Sequence, residues 1–352
     1  MTTIHGWMMT GVGEPLVEKD WDAPELAEGE VLVKVAGCGV CHTDISFLHM
    51  GVPTRMKPPL VLGHEISGTV ESAGRGAGDW VGKNVLVPAV LPCGECPACQ
   101  ADRRRICSAQ IMPGNDRHGG YASHVAVPAK YLCPVGDDVL ASNSLADLAI
   151  VSDAVTTPFQ AMKRAGVAAG DLAIVIGTGG LGIHAVQIME AAGAKVIGLD
   201  IDESKLETVR ANTNAATVNT KDLDFKAMKG AVKGAAKELG APRFGAKIFE
   251  MSGTKSGQET AFGLLGFGAT LGIIGFTMAK PELRISNLMA FDAEMFGIWG
   301  CDPVLYAEVV EWIGAGKIAV GPYAEQHPLS DINAVMTAAH EGRLSRRAVM
   351  VP

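Results

Sequence analysis

A glycine-rich turn at residues 177–182 constrains the fold of this chain more than any other feature of its sequence. The turn, GTGGLG, follows the apolar run Leu172–Ile176 and opens a helix-like stretch, Leu181–Ala192. A second apolar run, Lys195–Leu199, comes next and is followed by Asp200. This order of strand, turn, helix and strand predicts a βαβ unit, and with it a parallel sheet with helices on both faces.

The turn also has a chemical interpretation, because it matches G-x-G-x-x-G in the strand-to-helix context that dinucleotide binding requires. Gly177 permits the tight turn, Gly179 lets a pyrophosphate approach the backbone, and Gly182 allows close packing of helix on strand. The helix N-terminus offers free N–H groups to the phosphates. Asp200 should bind the ribose hydroxyls and repel a 2′-phosphate, which favours NAD over NADP. The alternative is a turn that packs a βα unit and binds no nucleotide.

Four cysteines fall within a short segment of the chain: Cys93, Cys96, Cys99 and Cys107. The spacing C-x2-C-x2-C-x7-C suits a closed tetrahedral zinc site that holds a lobe together. An iron–sulfur cluster and four unrelated thiols are the competing interpretations. Four ligands leave no open position, so this cluster predicts structure rather than catalysis.

The remaining chain predicts a β-rich first part and a mixed tail around the βαβ region. Glu30–Ala36 alternates as a strand does, and Ala246–Met251 and Ala269–Phe276 are further strand candidates. Thr213–Gly245 is interpreted as helix and loop, and a helix is expected near Val304–Ile313.

Length and charge narrow the class of protein. A chain of 352 residues suggests two domains, and a net charge of −8 without a long basic run argues against nucleic-acid binding. No apolar run reaches the roughly 18 residues of a membrane-spanning helix, and no secretory signal is visible. We therefore expect a soluble cytoplasmic protein.

A second set of metal-ligand residues is dispersed over GVCHTD (39–44) and GHEISG (63–68). A catalytic zinc needs about three protein ligands and one open position, and Cys41 and His64 are candidates for two of them. Taken singly, each is more often structural, since a lone cysteine usually behaves as a small buried hydrophobe. Their joint context favours the metal interpretation.

Taken together and in this order, GVCHTD, GHE, the cysteine lobe, GTGGLG and the following Asp resemble the zinc-containing medium-chain alcohol dehydrogenases over essentially the whole chain. The resemblance implies an α/β protein with a GroES-like β-rich catalytic domain, 1–154 and 298–352, whose structural zinc lobe is 92–108. It implies an inserted Rossmann NAD-binding domain, 155–297. It further implies zinc- and NAD-dependent oxidation of a small secondary alcohol to a ketone, two zinc ions per chain, and a homodimer or homotetramer that pairs near 276–303.

The resemblance also assigns roles to residues. Cys41 and His64 match the first two catalytic zinc ligands, and Thr43 matches the hydroxyl that hydrogen-bonds the substrate alcohol. Asp44 matches the carboxylate that orients the ligand histidine, and Glu65 the acid beside the metal. Positions that match cofactor contacts are His42, Thr157, Gly177, Gly179, Gly180, Leu181, Gly182, Asp200, Lys205 and Arg347, with the register between Arg346 and Arg347 left open.

Two departures from the family pattern bear on mechanism. Asp153 stands where relatives commonly carry a third ligand cysteine; a carboxylate can bind zinc, although a helix-capping role is the alternative. Ser46 stands where many relatives carry a proton-relay histidine. The alcohol proton would then leave through Thr43 and a cofactor ribose hydroxyl, through a water, or through His49.

Longer stretches resemble family members that oxidise the ring hydroxyl of a cyclic acyl-CoA thioester in anaerobic aromatic degradation. They are AGCGVCHTD, KPPLVLGHEISG, VPAVLPCGEC and the run 109–115. This implies a cyclic acyl-CoA substrate; the alternatives are a generic alcohol or polyol dehydrogenase, a zinc-free reductase relative, and a zinc-stabilised binding module. Basic residues that could meet CoA phosphates, or be solvated surface charges, are Arg55, Lys57, Arg103, Arg104, Arg105 and Arg117.

Overall fold

The structure is a computed structural model that describes Thr2–Pro352. The chain forms two compact units. Unit 1 comprises the residues up to Thr156 together with Gly300–Pro352, and unit 2 comprises Thr157–Trp299. One unit is therefore inserted in the sequence of the other.

The strands in chain order are β1 (Thr3–Met9), β2 (Val17–Asp22), β3 (Glu30–Gly39), β4 (Leu60–Val61), β5 (Glu65–Ala73), β6 (Asn84–Val87), β7 (His124–Pro128), β8 (Cys133–Pro134), β9 (Leu172–Ile176), β10 (Lys195–Asp200), β11 (Ala216–Asn219), β12 (Lys247–Glu250), β13 (Thr270–Ile273), β14 (Glu294–Gly297), β15 (Ala324–Pro328) and β16 (Arg347–Val351). The α-helices are α1 (His42–His49), α2 (Pro97–Gln100), α3 (Asp137–Leu140), α4 (Thr156–Ala165), α5 (Gly182–Ala191), α6 (Glu203–Asn212), α7 (Phe225–Glu238), α8 (Lys255–Gly263), α9 (Ser286–Phe291), α10 (Tyr306–Gly314) and α11 (Ile332–His340).

Unit 1 is built on a mostly antiparallel sheet in the order β15-β16-β3-β5-β6-β8, with β7 also paired to β3 and a smaller sheet β2-β1-β4 beside it. Most residues of β3 are buried, among them Val31, Leu32, Val33 and Val35, while Lys34 is exposed. The pairing of β3 with β5 places Gly39 opposite Glu65, which brings the start of α1 beside the start of β5. This pairing positions the candidate site.

Unit 2 is a parallel sheet in the order β11-β10-β9-β12-β13-β14 over the described residues. The direction of winding reverses between β9 and β12, which is the switch point where such sheets bind ligands. Every residue of β9, Leu172–Ile176, is buried, as expected for a central strand of a parallel sheet. The α/β prediction is confirmed.

Most of the predicted elements are confirmed, with boundaries shifted by a few residues. The strands Leu172–Ile176 and Lys195–Leu199 and the helix between them lie where the sequence predicts them. The interpretation of Thr213–Gly245 as helix and loop was wrong in one place, because Ala216–Asn219 is strand β11 at the edge of the sheet. Its four residues are too few to show a periodicity.

Among Thr2–Pro352, none of the helices combines the length and the apolar character that crossing a bilayer requires.

Candidate functional site

Cys41, His64, Glu65 and Asp153 converge in unit 1, where one ligand atom of each lies within 4.8 Å of the others. Cys41 directly precedes α1, and His64 directly precedes β5. Asp153 follows the short 3-10 helix Asp147–Ser152. Three segments that are distant in sequence therefore meet at one point of unit 1.

The spacing of the donor atoms fits a tetrahedral metal ion. The Asp153 Oδ2 atom lies 3.7 Å from the Cys41 Sγ atom and 3.7 Å from the His64 Nε2 atom. Ligand bonds of about 2.0–2.3 Å at tetrahedral angles place donors roughly 3.3–3.8 Å apart. Cys41 and His64 are buried, whereas the Asp153 side chain keeps 15% exposure. The donor set of sulfur, imidazole nitrogen and carboxylate oxygen is one that zinc accepts.

A buried network holds the histidine of this cluster. The Asp44 Oδ1 atom lies 3.3 Å from the His64 Nδ1 atom and accepts the Gly63 N–H at 3.0 Å. Tyr121, fully buried, donates its hydroxyl to the Asp44 Oδ2 atom at 3.0 Å. A carboxylate on the far nitrogen fixes the ring orientation and leaves Nε2 directed at Asp153.

The charges around the cluster favour a cation. Burial lowers the pKa of His64, but Asp44, Cys41 and Asp153 outweigh burial and raise it well above its usual value. Burial raises the pKa of Glu65 to about 7, although Arg347 beside it acts in the opposite direction. A proton on His64 balances the negative charge of the surrounding acidic groups, and a metal ion bound at Nε2 would balance it in the same way.

Arg347 pairs with Glu65 through two hydrogen bonds, from Nε to Oε2 at 3.1 Å and from Nη2 to Oε1. Both side chains are buried, at 5% and 0% exposure. The neighbouring Arg346 is exposed. Arg347, which the sequence predicts to contact a cofactor phosphate, is therefore paired with Glu65, the acid of the metal-ligand cluster.

The start of α1 carries the other residues predicted near the metal. Thr43 is half-buried, with its Oγ1 atom 3.7 Å from the Cys41 Sγ atom, and His42 is exposed. The buried Ser46 donates its hydroxyl to the Thr43 carbonyl oxygen at 2.7 Å. The His49 ring stacks on the His340 ring at 4.9 Å between centroids.

The four cysteines of the lobe also come together. Their Sγ atoms lie 3.5 Å apart for Cys93 and Cys107, 3.6 Å for Cys96 and Cys99, 3.7 Å for Cys96 and Cys107, and 3.9 Å for Cys93 and Cys99. A tetrahedron with Zn–S bonds of about 2.3 Å has edges of about 3.8 Å.

The protonation of these thiols supports the same fit. The backbone N–H groups of Glu95 and Cys96 point at the Cys93 sulfur at 3.4 Å and lower the pKa of Cys93 to about 6. Burial raises the pKa of Cys99 to about 12. Cys93 is therefore a thiolate at neutral pH, whereas a bound cation would be needed to make Cys99 one.

The glycine-rich turn of unit 2 has the geometry that a phosphate-binding turn needs. Gly177 has a positive φ of 85°, and a Cβ atom there would lie 2.7 Å from the Ser252 backbone. A Cβ atom on Gly182 would lie 1.8 Å from the Gly177 carbonyl oxygen, so the start of α5 packs directly against the turn. Nothing lies within 4 Å of the position that a Gly179 Cβ atom would take, which leaves the backbone open to a ligand. Gly180 is exposed, and Leu181 occupies the residue position directly before α5.

Asp200 ends β10 and faces this turn. Its Oδ2 atom accepts the Thr178 N–H at 2.8 Å, and its Oδ1 atom accepts the Asp202 N–H at 3.0 Å. The Lys205 Nζ atom lies 4.0 Å from Asp202 at the start of α6. Thr157 is buried in α4. The Asp200 carboxylate is therefore held by backbone N–H groups, at the place where the adenosine end of a dinucleotide would lie.

Sequence reasoning missed three residues that support these sites. Tyr121 holds Asp44, and Tyr306 donates its hydroxyl to the carbonyl oxygen of Ser152, the residue before Asp153. Glu250, buried at the end of β12, accepts the N–H groups of Ser252 and Gly253 in the loop packed against Gly177. A single buried tyrosine or glutamate carries no sequence signal, because its partners are set by the fold.

Comparisons with known proteins match this chain to dehydrogenases. Residues 27–137 match the family described as "Alcohol dehydrogenase GroES-like domain", and residues 180–315 match "Zinc-binding dehydrogenase". The chain is 29% identical over 343 residues to an alcohol dehydrogenase of Geobacillus stearothermophilus, covering 94% of each protein. It is 35% identical over 218 residues to an NAD-dependent alcohol dehydrogenase of Sulfolobus acidocaldarius, covering 59% of this chain and 62% of that protein.

Among solved structures, the alcohol dehydrogenase of Aeropyrum pernix superposes with a TM-score of 0.87 at 26% identity, over 99% of this chain and 100% of that one.

Proposed function

Because this chain belongs to the zinc-type medium-chain alcohol dehydrogenase family, we propose that it oxidises a secondary alcohol to a ketone, with NAD as hydride acceptor and two zinc ions per chain. The observation that carries the proposal is the convergence of Cys41, His64 and Asp153 beside the Thr43 hydroxyl. The open turn at Gly177–Gly182 supports the proposal that a dinucleotide binds there.

In this proposal Cys41, His64 and Asp153 hold the catalytic zinc, and Glu65 lies beside it. Bound zinc supplies Lewis acidity that eases removal of the alcohol proton, and bound NAD supplies the hydride acceptor. Asp44 keeps the His64 ring in the orientation that presents Nε2.

Thr43 is assigned the first proton transfer. Its Oγ1 atom lies near the cluster and is half-buried, so it can accept a hydrogen bond from the substrate hydroxyl. The Ser46 hydroxyl already donates to the Thr43 carbonyl oxygen and fixes the first turn of α1. His49 stacks on His340, and we propose a ribose hydroxyl or a water as the next carrier after Thr43.

The second zinc is assigned to Cys93, Cys96, Cys99 and Cys107. The sulfur separations and the backbone N–H groups directed at Cys93 support four thiolates around one ion. This zinc would be structural, since four protein ligands close its coordination shell.

NAD is favoured over NADP because Asp200 presents a buried carboxylate where the adenosine ribose would bind. Its position is fixed by Thr178 and Asp202, so it cannot swing away to admit a 2′-phosphate without breaking those bonds.

For the substrate we propose 6-hydroxycyclohex-1-ene-1-carbonyl-CoA, oxidised to its 6-oxo product. The support is the likeness of AGCGVCHTD, KPPLVLGHEISG and VPAVLPCGEC to enzymes that act on cyclic acyl-CoA thioesters. A generic medium-chain alcohol or polyol dehydrogenase is the competing function.

The basic residues that we propose as candidate contacts for the CoA phosphates differ in their ion pairing. Arg55 pairs with Asp116 at 3.1 Å, Arg117 pairs with Glu30 at 2.8 Å, and Arg104 pairs with Asp302 at 3.4 Å. Within the described part of the chain, the remaining three candidates form no such ion pair: Lys57, Arg103 and Arg105. Arg103 and Arg105 flank Arg104 on the cysteine lobe and are the first to test.

We further propose that unit 2 mediates a homodimer, or the dimer within a homotetramer. Strand β14 is the edge of the parallel sheet and is largely exposed, with Met295 at 40%. Exposed apolar side chains continue around this edge: Phe276, Met278, Ile285, Met289 and Trp299. A bare apolar edge strand is a template for pairing with a second copy. Met295→Glu should shift the mass measured by multi-angle light scattering toward the monomer.

The test of the function combines metal content, cofactor binding and turnover. The wild-type protein should hold two zinc ions, bind NADH, and reduce NAD with the cyclic hydroxyacyl-CoA. Cys41→Ala and His64→Ala should lose one zinc and almost all turnover. Cys133→Ala, at another buried cysteine of unit 1, is the matched control and should retain both.

Each competing function has its own outcome. Turnover of simple cyclic alcohols or polyols but not of the CoA thioester would favour the generic dehydrogenase. NAD(P)H-dependent reduction by a protein that holds no zinc would favour a zinc-free reductase relative, and zinc without nucleotide binding would favour a binding module. If the substrate is correct, Arg103→Ala and Arg105→Ala should raise KM for the thioester, while the ion-paired Arg55→Ala should not.

A further inference from the structure

The backbone that carries Asp153 is irregular. Asp153 follows a 3-10 helix, has φ −144° and ψ −57°, and precedes α4. Its own N–H reaches the Ile150 carbonyl oxygen at 3.4 Å, which is a long hydrogen bond. The position of its carboxylate therefore depends on how the neighbouring residue is anchored.

Ser152 supplies that anchor on one side. It is fully buried, and its hydroxyl donates to the Ile66 carbonyl oxygen at 2.8 Å. Ile66 lies on β5, two residues after His64. Ser152 thus ties the segment of Asp153 to the strand that begins next to His64.

Tyr306 supplies the anchor on the other side. Its hydroxyl donates to the Ser152 carbonyl oxygen and accepts the Ala89 N–H at 3.2 Å. The ring is 1% exposed at the start of α10. Burial raises the pKa of the Tyr306 hydroxyl well above its usual value, so the group keeps its proton and remains a donor.

We propose that Tyr306 is a positioning residue for the catalytic metal site, which fixes the Asp153 carboxylate through the main chain of Ser152. The proposal rests on the assignment of Asp153 as a zinc ligand made above. It extends that assignment to a residue that no motif marks and that lies 154 positions from Ser152 along the chain.

The physical reason is the freedom of a carboxylate. Asp153 reaches the cluster through two rotatable side-chain bonds, and its oxygen must stay 3.7 Å from both Cys41 Sγ and His64 Nε2. A small shift of the Ser152 carbonyl rotates the Asp153 backbone and moves that oxygen off the tetrahedral position. Loss of residues that support a metal ligand lowers metal affinity about 10–100-fold, and we expect the lower end for one acting through the backbone.

The test compares zinc release from the two sites of one chain. Zinc-loaded full-length protein is mixed with a chromophoric chelator, and the phase that belongs to the lobe is identified as the one lost in Cys93→Ser. Tyr306→Phe should release the other zinc about tenfold faster and leave the lobe phase unchanged. Tyr323→Phe, which removes a hydroxyl from another buried tyrosine of unit 1, is the matched control and should release both as the wild type does.

Two further measurements separate positioning from general stability. With Co²⁺ in place of the zinc outside the cysteine lobe, the visible bands of Tyr306→Phe should shift relative to those of wild type and Tyr323→Phe. Ser152→Ala, which removes the bond to Ile66, should accelerate the same phase, and it replaces Tyr306→Phe if that variant does not fold.

The outcomes are distinct. Wild-type release kinetics in Tyr306→Phe, or equal acceleration of both phases, would overturn the role of Tyr306. Wild-type kinetics in Ser152→Ala would overturn the premise that the anchoring of Ser152 sets the position of Asp153, and with it the role of Tyr306. A Cys93→Ser protein that holds no zinc would instead overturn the proposed function itself, since the catalytic site would then bind none.

Discussion

Replacing Arg347 by methionine should destabilise unit 1 by several kcal/mol, because it leaves the Glu65 carboxylate buried without its cation. The two side chains are 5% and 0% exposed, so water cannot take the place of the guanidinium. Breaking a buried ion pair by removing one partner costs about 3–5 kcal/mol. For a unit of about 200 residues this corresponds to a fall in Tm of roughly 10 °C.

The loss should also depend on pH. Burial already raises the pKa of Glu65 to about 7 in the presence of Arg347, and it will rise further without it. The folded variant must then hold a proton that the unfolded chain releases above about pH 4–5. A group whose pKa is raised on folding stabilises at low pH and loses that contribution as pH rises through the folded value. Wild type and Arg347→Met should therefore lose stability together up to about pH 7, and the gap between them should widen as pH rises above that value.

The assay is thermal and urea unfolding of wild type, Arg347→Met, Glu65→Gln and the double variant as metal-free proteins, since the raised pKa of Glu65 applies to the cluster without a bound cation. The double variant should be more stable than the sum of the single losses predicts, and its gap to wild type should stay constant above about pH 7, where Glu65 of wild type no longer titrates. A Tm loss below about 3 °C for Arg347→Met, or a gap that narrows as pH rises, would show that the pair is solvated and that the reasoning fails.

Three other outcomes can be checked on the same protein. Gly182→Ala should strongly destabilise unit 2 in thermal unfolding, because its methyl group would meet the Gly177 carbonyl oxygen. Gly179→Ala should fold normally but weaken NADH binding, measured by fluorescence titration. Equal stabilities of the two variants would contradict the packing argument. Asp200→Ala should reduce the ratio of kcat/KM for NAD over NADP by at least tenfold, and equal wild-type values for both cofactors would refute its role. Asp153→Asn should lower zinc affinity at one site of two, as measured by chelator competition, and unchanged affinity would remove it from the ligand set.

Much of the fold was predictable because its signals are local. The run Leu172–Ile176, the turn after it and Asp200 lie within one βαβ unit, where periodicity and glycine chemistry act over a few residues. The cysteine spacing of the lobe is equally local. Strand β11 was not predicted, because its four residues at the edge of the sheet are too few to show a strand periodicity.

The tertiary structure alone decided which residues far apart in the sequence come into contact. Asp153 meets Cys41 across 112 positions, Tyr121 meets Asp44 across 77, and Arg347 meets Glu65 across 282. Chain closure and sheet register set such meetings, and neither is visible in local composition. For this reason the sequence indicated which residues could bind a metal and a dinucleotide, while the pairing of Arg347 with Glu65 and the anchoring of Asp153 through Ser152 became apparent only once β3, β5 and β16 were side by side.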